Sequence, residues 1–372
     1  MWAQGDWAGD WEKEIEAIAA TLCELTRIEG PGETVWLDGD IGARPLLLAL
    51  YRRVLGLGSL VELEVKIPEA RRIALEAASL EMLAAVSPVE SARIASATRY
   101  IMVECETPSG SLAGADMEKL AAMRKARHRA RQRLYELPSC STLFPNPYYA
   151  MRAHMGWDEY LELFFRVMAV DLRALYGRFR TATALLTSGS RLRLQGPGVD
   201  LTMDVTGRRF VADDCTYWNL PDGELFSSPV ETSTEGYIYF ETPQYYYQDT
   251  PVEELALRIA SGRVVEVRAR RNGDFVEKLL AIDDGARGIG EIGIGINGAV
   301  DRLTGDVAFD EKAAGTIHIA LGQGYEECGG RNESAIHWDL VKDIRRGGEI
   351  SIDGNRIFRG GRLLEDSDLL AS

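Results

Sequence analysis

The fold class this sequence predicts is an α/β N-terminal domain with a parallel sheet, followed by a β-rich α+β C-terminal domain carrying a metal site. Three observations lead there. Strands alternate with long helices up to Leu186, short strands and turns dominate after it, and two of only four histidines lie close together in that second half. A chain of 372 residues with 46% apolar content is long enough to bury two cores.

Each element follows from local pattern. Trp11, Ile15, Ile18, Ala19, Leu22 and Leu25 recur at helical spacing and share one face. A strand is read at Thr34–Asp38, then a helix over Arg44–Leu55. Pro45 is tolerated in its first turn, where amide N–H groups have no helical partner. Leu60–Ile67 reads as a strand, Glu69–Ala85 as a helix and Tyr100–Glu104 as a third strand. Helices over Asp116–Glu136 and Trp157–Tyr176 complete the N-terminal domain, residues 1–186. Thr187-Ser188-Gly189-Ser190 marks the boundary, and residues 187–372 form the second domain. There Arg191–Leu194 and Asp200–Val205 alternate polar and apolar, as half-buried strands do. Asp353-Gly354, between Glu349–Ile352 and Asn355–Phe358, predicts a hairpin. One helix is expected near Val252–Ser261.

Composition excludes several partners. A formal net charge of −15 argues against nucleic acid. The longest apolar run, Pro45 to Leu50, is far too short to cross a bilayer, so no membrane association is expected. The basic series Arg124, Lys125, Arg127, Arg129, Arg131 and Arg133 reads as a solvated helix face, with docking of an acidic partner or second subunit as the sharper alternative. Five dispersed cysteines and an acidic start after Met1-Trp2-Ala3 fit a reducing, cytoplasmic setting without a signal peptide.

The chemistry concentrates in the second half. In His337-Trp338-Asp339, side chains two apart on a strand share a face, which makes an imidazole and a carboxylate a half-site for a divalent cation. A surface His beside an Asp is the blander reading of that triplet. His318 sits in the apolar run Thr316–Leu321, where a lone His is more often a hydrogen-bonded core residue. A second His on a second strand is nevertheless what a site between strands needs. Tyr325 follows the Gly322-Gln323-Gly324 turn and can return toward the same place. Glu291 stands in Gly288-Ile289-Gly290-Glu291-Ile292-Gly293-Ile294-Gly295. That stretch matches a dinucleotide-binding glycine pattern only formally, because no helix follows it. Glycines there instead let backbone approach closely around one carboxylate, which is costly to bury unless paired or metal-bound. On composition alone Glu224 and Glu231 are equal candidates for a further acid.

Four segments in order resemble the aminopeptidase T family of metallopeptidases, also called the thermophilic or M29 family. They are Asn219-Leu220-Pro221 with Gly223-Glu224-Leu225-Phe226, the Glu291 glycine run, Ala314 with His318–Gly322 and Tyr325, and Ser334–Asp339. The resemblance implies metal ligands at Glu224, Glu291, His318, His337 and Asp339, with Tyr325 beside the metals, and it favours Glu224 over Glu231. It implies two divalent metal ions (Zn, Co, Mn or Mg), a peptide substrate with a free N-terminus, and a homodimer. Metal-dependent removal of N-terminal amino acids is the activity expected, with Glu291 a candidate proton shuttle and Tyr325 a hydrogen-bond donor to the tetrahedral oxyanion. The nearest rival is a mononuclear iron ring-cleaving dioxygenase of the dihydroxypyridine type. Those enzymes resemble the family but carry a His where this chain has Glu291. A catalytically inactive peptide- or metal-binding homologue, and a merely structural polar network, are the remaining alternatives.

Overall fold

The computed structural model describes residues 10–107, 115–212, 217–246 and 250–364. They form two compact units, one of Met1–Ala169 with Asp214–Pro221, the other of Val170–Asp213 with Asp222–Ser372. The changeover at Val170 comes before the segment read as a boundary, and a short stretch near residue 217 returns to the first unit.

The first unit is built on a five-stranded sheet in the order β2 (Leu60–Lys66), β1 (Thr34–Asp40), β3 (Arg99–Glu104), β4 (Ser139–Leu143) and β7 (Tyr217–Leu220), with every neighbouring pair parallel. Val35, Trp36 and Leu37 of β1 are fully buried, as expected where helices cover a parallel sheet on both faces. The same strand buries Asp38, whose carboxylate meets Lys66 Nζ at 2.6 Å and Arg131 Nη1 at 3.1 Å. Arg131 also pairs with Glu90 at 3.1 Å and lies 5.3 Å from the Trp36 ring centre. The basic series is therefore divided: Lys125 and Arg127 face solvent, while Arg131 turns inward to neutralise a core acid.

Helix boundaries differ from expectation wherever a capping side chain intervenes. Glu69–Ala85 is two helices, Pro68–Ala77 and Leu80–Ala84, and the Ser79 hydroxyl accepts the Met82 amide to start the second. Trp157–Tyr176 likewise divides into Trp157–Met168 and Leu172–Arg178, with Asp171 accepting from Ala174 N at 3.0 Å.

The second unit is antiparallel and β-rich. One sheet runs β13 (Arg263–Arg268), β12 (Leu255–Ala260), β9 (Glu235–Phe240), β6 (Val199–Asp204), β5 (Arg191–Gly196), β17 (Glu349–Ile352), β18 (Asn355–Arg359), β19 (Arg362–Leu363). The turn between β17 and β18 places Asp353 at φ 51° and Gly354 at φ 87°, the left-handed pair that tight hairpins require. The helix expected near Val252–Ser261 is absent. That segment is β12 with the end of β11 (Thr250–Val252), which pairs with β10 (Gln244–Tyr246). Burial of Leu255, Leu257 and Ile259 follows a period of two, and pairing with β9 and β13 outweighs the helix-forming Glu-Glu-Leu-Ala-Leu composition.

A second sheet, β16 (His337–Asp343), β15 (Thr316–Gly322), β14 (Ile289–Gly295) and β8 (Glu224–Ser227), carries the residues singled out above. One face buries Leu225, Ile292, Ile294, Ile317, Ile319, Leu321, Trp338 and Leu340. Among the described residues no helix is long and apolar enough to cross a membrane.

Candidate metal centre

Residues opposite one another on antiparallel strands point to the same face, so the register of this sheet decides what its other face displays. Glu224 of β8 lies opposite Gly295, His318 of β15 opposite Gly293, and Glu291 of β14 opposite Ala320. Ala320 is in turn opposite Asp339, and Gly322 opposite His337. Each of these five side chains thus has glycine or alanine opposite it on a neighbouring strand, while Phe226 and Val341 complete the same face. The small residues make room: a Cβ on Gly293 would lie 2.0 Å from the His318 ring, and one on Gly290 would lie 2.2 Å from the Gln323 carbonyl oxygen. The glycine run is a platform for close approach and not a phosphate loop.

All five residues implied as ligands come together here, in two clusters. His318 Nε2 lies 3.3 Å from Glu224 Oε2 and 3.3 Å from Glu291 Oε1. His337 Nε2 lies 3.2 Å from Glu291 Oε2 and 3.3 Å from Asp339 Oδ1. Glu291 therefore spans both imidazoles. Glu231 goes elsewhere, pairing with Arg208 at 2.9 Å and accepting the Arg331 amide at 2.7 Å.

A sixth side chain was not read from the sequence. Glu311 groups with Glu224 and His318, just as Glu291 groups with His337 and Asp339; in each trio the donor atoms lie within 4.8 Å of one another. Glu311 comes from the β14–β15 connection, at the end of the short helix Val307–Asp310. Asp310 pins that turn by accepting from Thr304 N at 2.6 Å and Gly305 N at 2.9 Å, and Asn297 N donates to the Lys312 carbonyl at 2.8 Å. The only sequence signal was an acid–base pair, Glu311-Lys312, immediately before the His318 strand.

The two clusters differ in setting. The His318 side chain is 1% exposed, against 24% for His337 and 19% for Asp339. His337 Nδ1 lies 2.9 Å from the Gln323 carbonyl, to which it donates, leaving Nε2 toward the carboxylates. Tyr325 O–H sits 3.3 Å from His337 Nε2, its ring 5.3 Å from Phe226.

The donor set fits divalent cations. Glu224 Oε2 and Asp339 Oδ1 are buried oxygens that accept no hydrogen bond, an expensive arrangement for a carboxylate unless a cation faces it. Burial, the largest influence, raises Glu224 to about 8 against the pull of Lys312. Glu291 is brought down to about 2: burial alone would raise it, but hydrogen bonds from His318 and His337 prevail. Burial would likewise lower His318, yet Glu291 and Glu224 lift it to about 9. Tyr325 is driven well above its usual range by burial and by Glu291 and Asp339, so its hydroxyl remains a donor at neutral pH.

Carboxylates and imidazoles paired on a glycine-lined sheet face define the class as a candidate two-cation centre. The chain belongs to the thermophilic metalloprotease (M29) family, whose profile matches residues 11–362. It is 32% identical over 187 residues to aminopeptidase T of Thermus aquaticus, a match covering 44% of each chain. The chain thus spans less than half the length of that curated relative in the aligned region. In fold it is similar to wild-type AmpT from Thermus thermophilus, with TM-score 0.78, 24% identity, and coverage of 95% of this chain and 100% of that one. A 2,5-dihydroxypyridine dioxygenase from Pseudomonas putida KT2440 shares the fold more distantly, with TM-score 0.60, 15% identity, and coverage of 96% and 99%. Fold alone therefore does not choose between hydrolysis and ring cleavage.

Proposed function

We propose that this protein is a metal-dependent aminopeptidase whose two divalent cations are held by Glu224, Glu311 and His318 on one side and by His337 and Asp339 on the other, with Glu291 shared. The observation that carries this reading is the sharing itself: one carboxylate within 3.3 Å of both imidazoles, each imidazole with a further acid of its own. When bound, such a pair of cations activates a water and polarises the scissile carbonyl. Zn, Co, Mn and Mg are all compatible with mixed carboxylate and imidazole donors.

The chain's own residues supply the rest. Tyr325 keeps its proton and donates to the oxygen that gains negative charge as the peptide carbonyl becomes tetrahedral. Both oxygens of Glu291 face imidazoles, which suits a shared ligand better than a free base. A substrate's free α-ammonium finds compensation among the acids of the centre, which accounts for action at the N-terminus only. Glu291 also favours this reading over the dioxygenase one, for which the resemblance implies a histidine at this position.

The test is hydrolysis of leucyl and other aminoacyl reporter substrates, with and without chelator, alongside elemental analysis. Release that requires a dication and fails on N-acetylated substrates is expected. One iron per chain with oxygen consumption on a dihydroxypyridine would replace the peptidase by the dioxygenase. We also propose a homodimer, to be checked by sedimentation.

A further inference from the structure

Lys312 has no part in the chemistry above, yet it is one of the most deeply buried side chains in the second unit, at 1% exposure. Its Nζ contacts Glu224 Oε1, lies 2.9 Å from Glu311 Oε1 and 3.9 Å from Asp222 Oδ1. An ammonium removed from water to this degree is costly unless anions surround it, and here the anions include two of the three side chains of one cation half-site. Among the described residues no Lys or Arg lies within 4.0 Å of the Glu291 or Asp339 carboxylates. One half of the centre has an internal cation. The other has none.

We propose that Lys312 is a built-in counter-cation for the Glu224–Glu311–His318 half, lowering the affinity of that half for a dication. This rests on the two-cation reading of the centre. Glu291 lies beside both imidazoles and so counts for both halves; with the carboxylates ionised, the ammonium offsets one of the three acids of the first half, Glu224, Glu311 and Glu291. A dication entering that half therefore gains less attraction than its carboxylates alone would supply, because it meets a positive charge within a few ångströms, where the dielectric screening is weak. The ammonium does not block the half-site. It occupies Glu224 Oε1, while Oε2 faces His318 and accepts no hydrogen bond. Nor is it free to swing away, since its backbone is tied on both sides, Lys312 N to Phe309 O at 3.2 Å and Lys312 O from Asn297 N. Lys312 is thus a positioning residue: without a metal it holds Glu224 and Glu311 together, and it sets how tightly that half binds when a metal arrives.

The test is calorimetric titration of Zn²⁺ and of Co²⁺ into the full chain stripped with chelator, together with melting temperatures in both states. His318→Ala should abolish one binding step and His337→Ala the other, which assigns each step to its half. Lys312→Met should tighten the step assigned to His318 by about tenfold or more and leave the other in place. It should also lower the melting temperature of the stripped chain and restore most of the loss on loading. Lys312→Arg keeps the charge and should keep the wild-type affinity. A step assigned to His318 that is unchanged or weakened in Lys312→Met would overturn the inference while leaving the centre intact. Lys312→Gln, also uncharged, decides if Lys312→Met does not fold. Absence of both steps would overturn the centre itself, and the inference with it.

Discussion

His318 and His337 sit on neighbouring strands and face the same carboxylate, yet each is held differently. His337 is oriented by a hydrogen bond, its Nδ1 on the Gln323 carbonyl at 2.9 Å, and remains partly open to solvent. His318 has a buried Nδ1 with no partner at all. Its ring is held by shape, lying on Gly293 where no Cβ could fit. The first arrangement resists rotation of the ring but tolerates neighbours. The second is bonded only through Nε2, to Glu291, with nothing on Nδ1 to fix the far side of the ring, so it depends on packing being undisturbed.

That contrast can be broken most severely at the residue both halves share. Glu291→Ala should weaken both cations and lower kcat/KM for an aminoacyl substrate by about 10³-fold or more, read by kinetics with metal content measured on the same preparation. Selective damage comes next. Gly293→Ala should displace His318 and cost about 1–3 kcal/mol of stability through overpacking, with loss of one cation while the His337 half retains its own. Equal loss from both halves would show that His318 does not depend on packing in the way its setting implies.

The smallest effect belongs to an acid outside either half. Burial would raise Glu231, but the Arg331 amide and Arg208 hold it below the usual carboxylate range. A depressed folded-state value adds stability that is present above the unfolded-state value, about 4.3, and disappears as pH falls through the lower folded one. Glu231→Gln should therefore cost about 1 kcal/mol at pH 7 and progressively less below about pH 4, with cation content unchanged. Thermal melts across that range measure it.

Much of this centre was legible because strands have a period of two. His337 and Asp339 had to share a face, and the glycines beside Glu291 had to be making space. Glu224 was not separable from Glu231 by residue chemistry, because only the pairing of β8 with β14 decides which acid meets His318. Glu311 was illegible for a related reason: it reaches the site through a connection whose path is set by Asp310 and Asn297, not by any local repeat. In the first unit the parallel sheet could be read from alternation. The inward turn of Arg131 could not, since one basic helix residue looks like the next until a buried Asp38 claims it. The helix breaks at Ser79 and Asp171 are of a different kind, because both residues carry capping chemistry that the sequence displays.

The return of β7 to the parallel sheet bears on how this chain can be cut. Its partner β4 is laid down some seventy residues earlier, and chain belonging to the second unit runs between them. A truncation after Leu186 would retain four of the five strands and expose the free edge of β4 as a template for self-association. Neither unit is a contiguous gene segment. Expression of the first half alone should yield aggregates, and a separable N-terminal module would have to bring residues 217–221 with it, joined by a linker in place of the segment between.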